Sequence, residues 1–128
     1  MQIGARTPRK DPFIRLVYSG LFLIYHKIIV GKTVTDPSCP YVFGTKRNYL
    51  SLLPYLSFMR EGFWWGFVAA VKLNKIDIYE HEIIHAPRID GSTQVYKINK
   101  MPGIIFRNMK GLLQLYKYTK NNKISQCL

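Results

Sequence analysis

Residues 57–73 read SFMREGFWWGFVAAVKL and set the first problem of this chain. Arg60 and Glu61 stand side by side in one of its most apolar stretches. Leu50, Leu52, Leu53, Tyr55, Leu56 and Phe58 precede them, and Phe63, Trp64, Trp65 and Phe67 follow. If a membrane helix runs from Leu50 to Val71, the two charges fall at mid-bilayer. An ionised side chain costs roughly 2.5–3.5 kcal/mol there on the most lenient scale. If the helix starts only at Gly62, about a dozen residues remain before Lys72, too few to cross ~30 Å of hydrocarbon at 1.5 Å per residue. The charges are therefore embedded, or the segment does not span. Adjacent helical residues point about 100° apart, so Arg60 and Glu61 pair poorly with each other. The embedded reading sends each to a partner on another chain. The competing reading puts both in a headgroup region, with Pro54 starting a short, tilted helix.

Upstream, Phe13–Val30 (FIRLVYSGLFLIYHKIIV) is almost continuously apolar and long enough for a span. Arg15 lies near one end and His26 with Lys27 near the other, where long side chains reach the interface. A buried helix of a soluble domain is the competing reading. Residues 31–47 hold two prolines and two glycines and read as a loop. The expected fold is thus an all-α membrane protein. A basic tail covers 1–12, a transmembrane helical hairpin covers 13–72 with its loop at 31–47, and a peripheral C-terminal extension covers 73–128.

The extension is mixed and polar. RIDGSTQVYKI (88–98), with Asp90–Gly91, reads as a small β-hairpin. Residues 104–120 read as an amphipathic helix started by Pro102. Ile105, Met109, Leu112, Leu113 and Tyr116 share one face; Arg107, Lys110, Gln114 and Lys117 share the other. Such a basic amphipathic helix lies on an anionic bilayer or docks on a partner.

Nineteen Lys and Arg against seven acids give a formal charge of +12 over 128 residues. That balance asks for a polyanion, whether rRNA, an anionic lipid surface or acidic protein neighbours. No small-residue cleavage site follows an apolar core at the N-terminus, so a secretory signal is not expected. Cys39 and Cys127 follow no ligand spacing and read as plain thiols. There is no Gly-rich phosphate loop, nucleophile elbow or paired-Cys motif.

One enzyme motif occurs. His81-Glu82-Ile83-Ile84-His85 is HExxH, which on a helix places two zinc-binding histidines on one face and a Glu beside the metal-bound water. A third ligand is wanting: no His or Glu follows His85, and the extended spacing finds Arg88 and Gly91 where Gly and His are required. Pro87 also stops a helix there. A small zinc metalloprotease through His81, Glu82 and His85 is therefore an alternative only, and the main expectation is no catalytic residue, no metal and no cofactor.

Further likenesses are distributed along the chain. Asp11-Pro12 is followed by Arg15-Leu16-Val17-Tyr18 and Gly20; Arg47 precedes the second apolar segment, which carries Phe63 and Gly66; VKLNKIDIYEHE follows it. Over roughly residues 10–87 this resembles the two-helix accessory subunit of the membrane arm of mitochondrial respiratory complex I, the C-two family of NADH:ubiquinone oxidoreductase. Two extra residues after Pro12, the Arg60–Glu61 pair and the tail from about Asp90 depart from the pattern. The resemblance implies a role in assembly and stability, with no catalytic residue to carry over.

The expected function is a non-catalytic accessory subunit of an inner-membrane complex, not functional alone. Its partners are other membrane-arm subunits and an anionic phospholipid such as cardiolipin, with no nucleic acid. Arg60, Glu61, Gly62, Trp64, Trp65 and Gly66 are the interface candidates, the glycines because small residues let helices approach. Only Lys32, Lys46 and Arg47 are cationic in the loop, so both termini belong on the matrix side of the mitochondrial inner membrane. A mitochondrial ribosomal or other basic RNA-binding protein is the alternative from a different class.

Overall fold

The computed structural model describes residues 1–86 and 98–126. Its elements are β1 (Gln2–Arg6), α1 (Phe13–Val30), β2 (Val42–Phe43), α2 (Lys46–Leu52), a 3₁₀ segment (Leu53–Phe58), α3 (Phe63–Leu73), β3 (Tyr79–Ile83), a 3₁₀ turn (Ile98–Lys100) and α4 (Met101–Gln126). The chain is therefore mixed α/β, and the all-α transmembrane hairpin is not what forms. Among the described helices only α1 is long and apolar enough to cross a membrane.

The second expected span fails because its apolar residues are divided among three elements. Thr45 caps α2, its side-chain oxygen accepting from the Asn48 N–H at 3.3 Å. Pro54 sits at the start of the 3₁₀ segment, where its missing N–H costs nothing. The backbone then turns at Met59–Gly62 before α3 begins. With 11 residues α3 is only about 16 Å long. It is apolar all round because it is the hub of the fold, with all six residues Gly66–Val71 buried. Val68 packs with Ile3 and Val34 on the sheet side. Phe67, Ala70 and Val71 belong to the larger cluster with Leu52, Met59, Leu112 and Leu115. A helix of this composition must be enclosed, and here protein encloses it.

The sheet has the order β2-β1-β3. β1 runs antiparallel to β2, with Ile3 opposite Val42, and parallel to β3, from Gln2↔Tyr79 to Arg6↔Ile83. Parallel neighbours need a crossover, which the helices between them supply. Ile3, Gly4 and Ala5 are all buried in this central strand, so it lacks the alternation of a half-exposed one.

The α1 helix ends at Gly31, whose φ of +84° is costly for other residues and whose N–H donates to the Lys27 carbonyl at 2.9 Å. Its inner face, Phe22, Tyr25, His26 and Ile29, meets the α3–α4 layer; the Tyr25 hydroxyl donates to the Met109 carbonyl at 3.0 Å. The C-terminal helix exists where periodicity places it but is longer, and it belongs to the core. Ile104, Leu112, Leu115 and Thr119 are buried, whereas Leu113 is exposed, so the buried face is rotated from the expected one. Gly111 is where α4 approaches closest: a Cβ there would strike the Phe58 backbone carbonyl. The expected hairpin at 88–98 lies almost wholly outside the described residues, as does Cys127. Cys39 is a buried free thiol.

Candidate functional site

The end of β1 and the turn into α1 gather three arginines around two aspartates. Arg6 forks onto Asp36, Nε to Oδ2 at 2.6 Å and Nη2 to Oδ1 at 3.0 Å, and also donates to the Ser38 hydroxyl at 2.6 Å. Arg9 donates to Asp11 through Nε at 3.0 Å and Nη2 at 2.7 Å. Arg15, one turn along, stands 3.6 Å from Asp11. Burial raises the Asp36 carboxyl, but the hydrogen bonds from Arg6 and Ser38 outweigh it and hold the group below the usual carboxylate range. Asp11 follows the same logic, with Arg9 overcoming burial. Asp36 thus fixes the cluster from the loop after α1. Two negative charges facing three positive ones leave the group net cationic.

From this cluster a cleft of about 390 Å³ runs between α1, the start of α3 and the start of α4. Tyr18 and Ser19 line its middle. Phe22, Trp64, Trp65 and Ile105 line the rest, with Glu61 at the wall. Trp65 meets the Phe22 ring edge-on at 4.8 Å between centroids, which gives the apolar wall a defined shape. One side is rich in cationic donors, the other is aromatic and aliphatic.

The interface candidates from the sequence fall around this cleft, with contacts inside the chain. Arg60 and Glu61 lie exposed in the turn before α3. Glu61 is exposed rather than enclosed, and Arg107 of α4 donates to it at 2.5 and 3.1 Å. Gly62 and Gly66 admit Met59, and Gly62 also Asn108, where a Cβ would crowd them. Trp64 packs on Phe63 and Phe67, and Trp65 on Phe22 and His26.

His26, expected at a membrane interface, is fully buried instead. Its Nε2–H donates to the Trp65 carbonyl at 3.1 Å, while Nδ1 is buried without a protein partner among the described residues. Burial drives its pKa down to about 4, against the opposing effect of that hydrogen bond, so the ring is neutral.

The HExxH stretch is strand, not helix. His81 and Glu82 face Gly4 and Ala5 in the β1–β3 register, and adjacent strand residues point to opposite faces. His85 lies beyond the strand, with Nδ1 accepting from the Lys10 N–H at 3.0 Å. Glu80 takes the Thr35 N–H at 2.6 Å. The helical face that the zinc motif requires is absent, and no three His, Cys, Asp or Glu side chains cluster as a metal site among the described residues.

The outer face of α1 is the other feature of note. Phe13 (81%), Leu21 (61%) and Ile28 (74%) are largely exposed, with Ile14, Val17 and Ile24 between them. Sequence reasoning found this helix but missed the arginine–aspartate cluster, because Asp36 is 30 residues from Arg6 and no local spacing links them. No protein-family model matches the chain, and neither the curated proteins nor the solved structures contain a match.

Proposed function

We propose that this chain is a non-catalytic accessory subunit held on the matrix face of the mitochondrial inner membrane within a large multi-protein assembly. The observation that carries this reading is the uncovered apolar stripe of α1. Ile14, Val17, Leu21, Ile24 and Ile28 recur at alternating steps of three and four along a helix about 27 Å long, and all are exposed. A contiguous apolar strip of this kind marks an interaction surface rather than ordinary surface wear. The excess of cationic charge favours anionic lipid such as cardiolipin beside it.

The helix lies along the bilayer boundary in this reading rather than crossing it, because its other face is committed to α3 and α4. Both termini then stay on the matrix side. The resemblance of residues 10–87 to an accessory protein of complex I supplies the proposed host, the membrane arm of that complex, although not the hairpin fold that it implied.

Flotation with cardiolipin-containing vesicles, followed by native-gel mass spectrometry of mild-detergent extracts, tests the proposal. The wild-type chain floats and migrates with a large membrane complex, and Leu21→Glu with Ile24→Glu abolishes flotation at unchanged melting temperature. A monomer that ignores vesicles would sink the proposal. Co-sedimentation with rRNA that high salt releases would favour the RNA-binding reading instead.

A further inference from the structure

We infer that the cleft beside the arginine cluster binds an anionic amphiphile with a phosphate or carboxylate head and a single acyl chain. Arg15 and Phe22 are seven residues apart on α1, so the polar and apolar parts of the cleft are separated by about 10 Å along the helix. That is the layout of a headgroup subsite followed by a chain subsite. The volume of about 390 Å³ lies within the range of ligand pockets, which runs from about 300 to 1,000 Å³.

The donors at the head end are partly engaged and partly open. Arg6 is bound to Asp36 and Ser38 and acts as scaffold. Among the described residues Arg15 has only its 3.6 Å approach to Asp11, and Arg9 keeps Nη1 at 4.0 Å from Asp36. Guanidinium forks match phosphate and carboxylate oxygens. The Tyr18 and Ser19 hydroxyls, next along the cleft, have no hydrogen-bond partner among the described residues and suit ester or phosphate oxygens. Beyond them Trp64, Trp65 and Ile105 offer an apolar wall to methylenes.

A free inorganic anion would leave that wall uncovered, and a neutral lipid would leave the excess positive charge of three arginines over two aspartates unmatched. The site uses residues distinct from the exposed stripe of α1, so it stands whether or not that stripe meets a bilayer.

Titrating the full-length protein with monomeric lysophosphatidic acid carrying a brominated chain tests the site, with tryptophan emission as the readout. Saturable quenching is expected, and Arg15→Gln should weaken it by about tenfold or more, the usual scale for a charge-assisted hydrogen bond. Lys117→Gln, which removes the same charge from the far part of α4, should leave it unchanged. A fatty acid with a brominated chain should bind like the phosphate ligand. Inorganic phosphate should not compete at millimolar concentration, and brominated lysophosphatidylcholine should bind at least tenfold more weakly. Ser19→Trp, checked for folding by circular dichroism, should block the cleft. Equal affinities for the anionic and zwitterionic lysolipids, or equal losses in Arg15→Gln and Lys117→Gln, would overturn the site in favour of unspecific partitioning. Failure of vesicle flotation with saturable lysolipid binding intact would instead strike only the membrane proposal.

Discussion

Arg107 grips the Glu61 carboxylate with two parallel hydrogen bonds, tying the first turns of α4 to the turn that precedes α3. Both side chains are substantially exposed, so water and salt screen the pair despite its fork geometry. The hydrogen bonds hold Glu61 below its ordinary carboxylate range. Glu61→Gln, Arg107→Gln and the double variant should all melt within a narrow band of the wild type. An embedded network would behave otherwise, each single change costing more than the double. Urea denaturation of the four proteins checks this.

Asp36 is the opposite case. It is 3% exposed and carries two hydrogen bonds from one guanidinium. Asp36→Ala strands Arg6 in a half-buried site and should cost about 3–5 kcal/mol, the usual penalty for breaking a buried pair from one side. Arg6→Met alone should be costly too, whereas an apolar replacement of both partners should recover much of the loss. Chemical denaturation midpoints at fixed m-value measure it.

Acid should erode the stability of the fold in two stages. The folded pKa of His26 is about 4, below its unfolded value of 6.5, so the unfolded chain takes up the proton first. Stability is complete above pH 6.5 and falls as pH drops toward 4, by up to about 3 kcal/mol at 1.36 kcal/mol per unit. Asp36 and Asp11 have depressed folded pKa values, so their contribution survives above the unfolded value of 3.8 and is lost as pH falls below it. His26→Leu should flatten the upper stage and leave the lower one. Guanidinium titrations between pH 7.5 and 3 (roughly the window set by these groups) separate the two.

Two glycines should respond with opposite signs. Gly20 has nothing within 4 Å of the place a Cβ would take, so Gly20→Ala should stabilise α1 by about 0.5–1 kcal/mol. Gly111→Ala drives its methyl into the Phe58 carbonyl, a backbone atom with no rotamer to escape into. The expected net cost is about 1–3 kcal/mol despite the better helix propensity. Thermal melts of both variants decide it.

Much of the local structure was legible. Phe13–Val30 reads as one helix and is one, since its length and its terminal glycine leave little choice. Its surroundings were not legible, because a helix half-buried in protein and one in lipid share the same apolar composition. For SFMREGFWWGFVAAVKL the deciding signals were present. Arg60-Glu61-Gly62 is a turn, and what remains is too short to span. The strand Tyr79–Ile83 had little mark of its own, because YEHEI is polar and largely exposed, and the HExxH match that begins within it points to a helix instead. β1 had none. Its buried run of Ile3, Gly4 and Ala5 depends on partners more than 35 residues away in sequence. The cleft combines residues from both ends of the chain, so no local pattern could announce it.

The β1–β3 pairing also sets a schedule for synthesis. Gln2 lies opposite Tyr79, so at about 5–20 residues per second the strand made first waits roughly 4–15 s for its parallel neighbour to be made. During that interval only the two-residue β2 can cover part of its edges. The α3 helix, whose enclosure needs both the sheet and α4, remains incompletely covered longer still. The nascent chain therefore carries its most apolar helix only partly covered until α4 emerges, and efficient folding in cells is expected to depend on a chaperone that shields residues 63–73 until then.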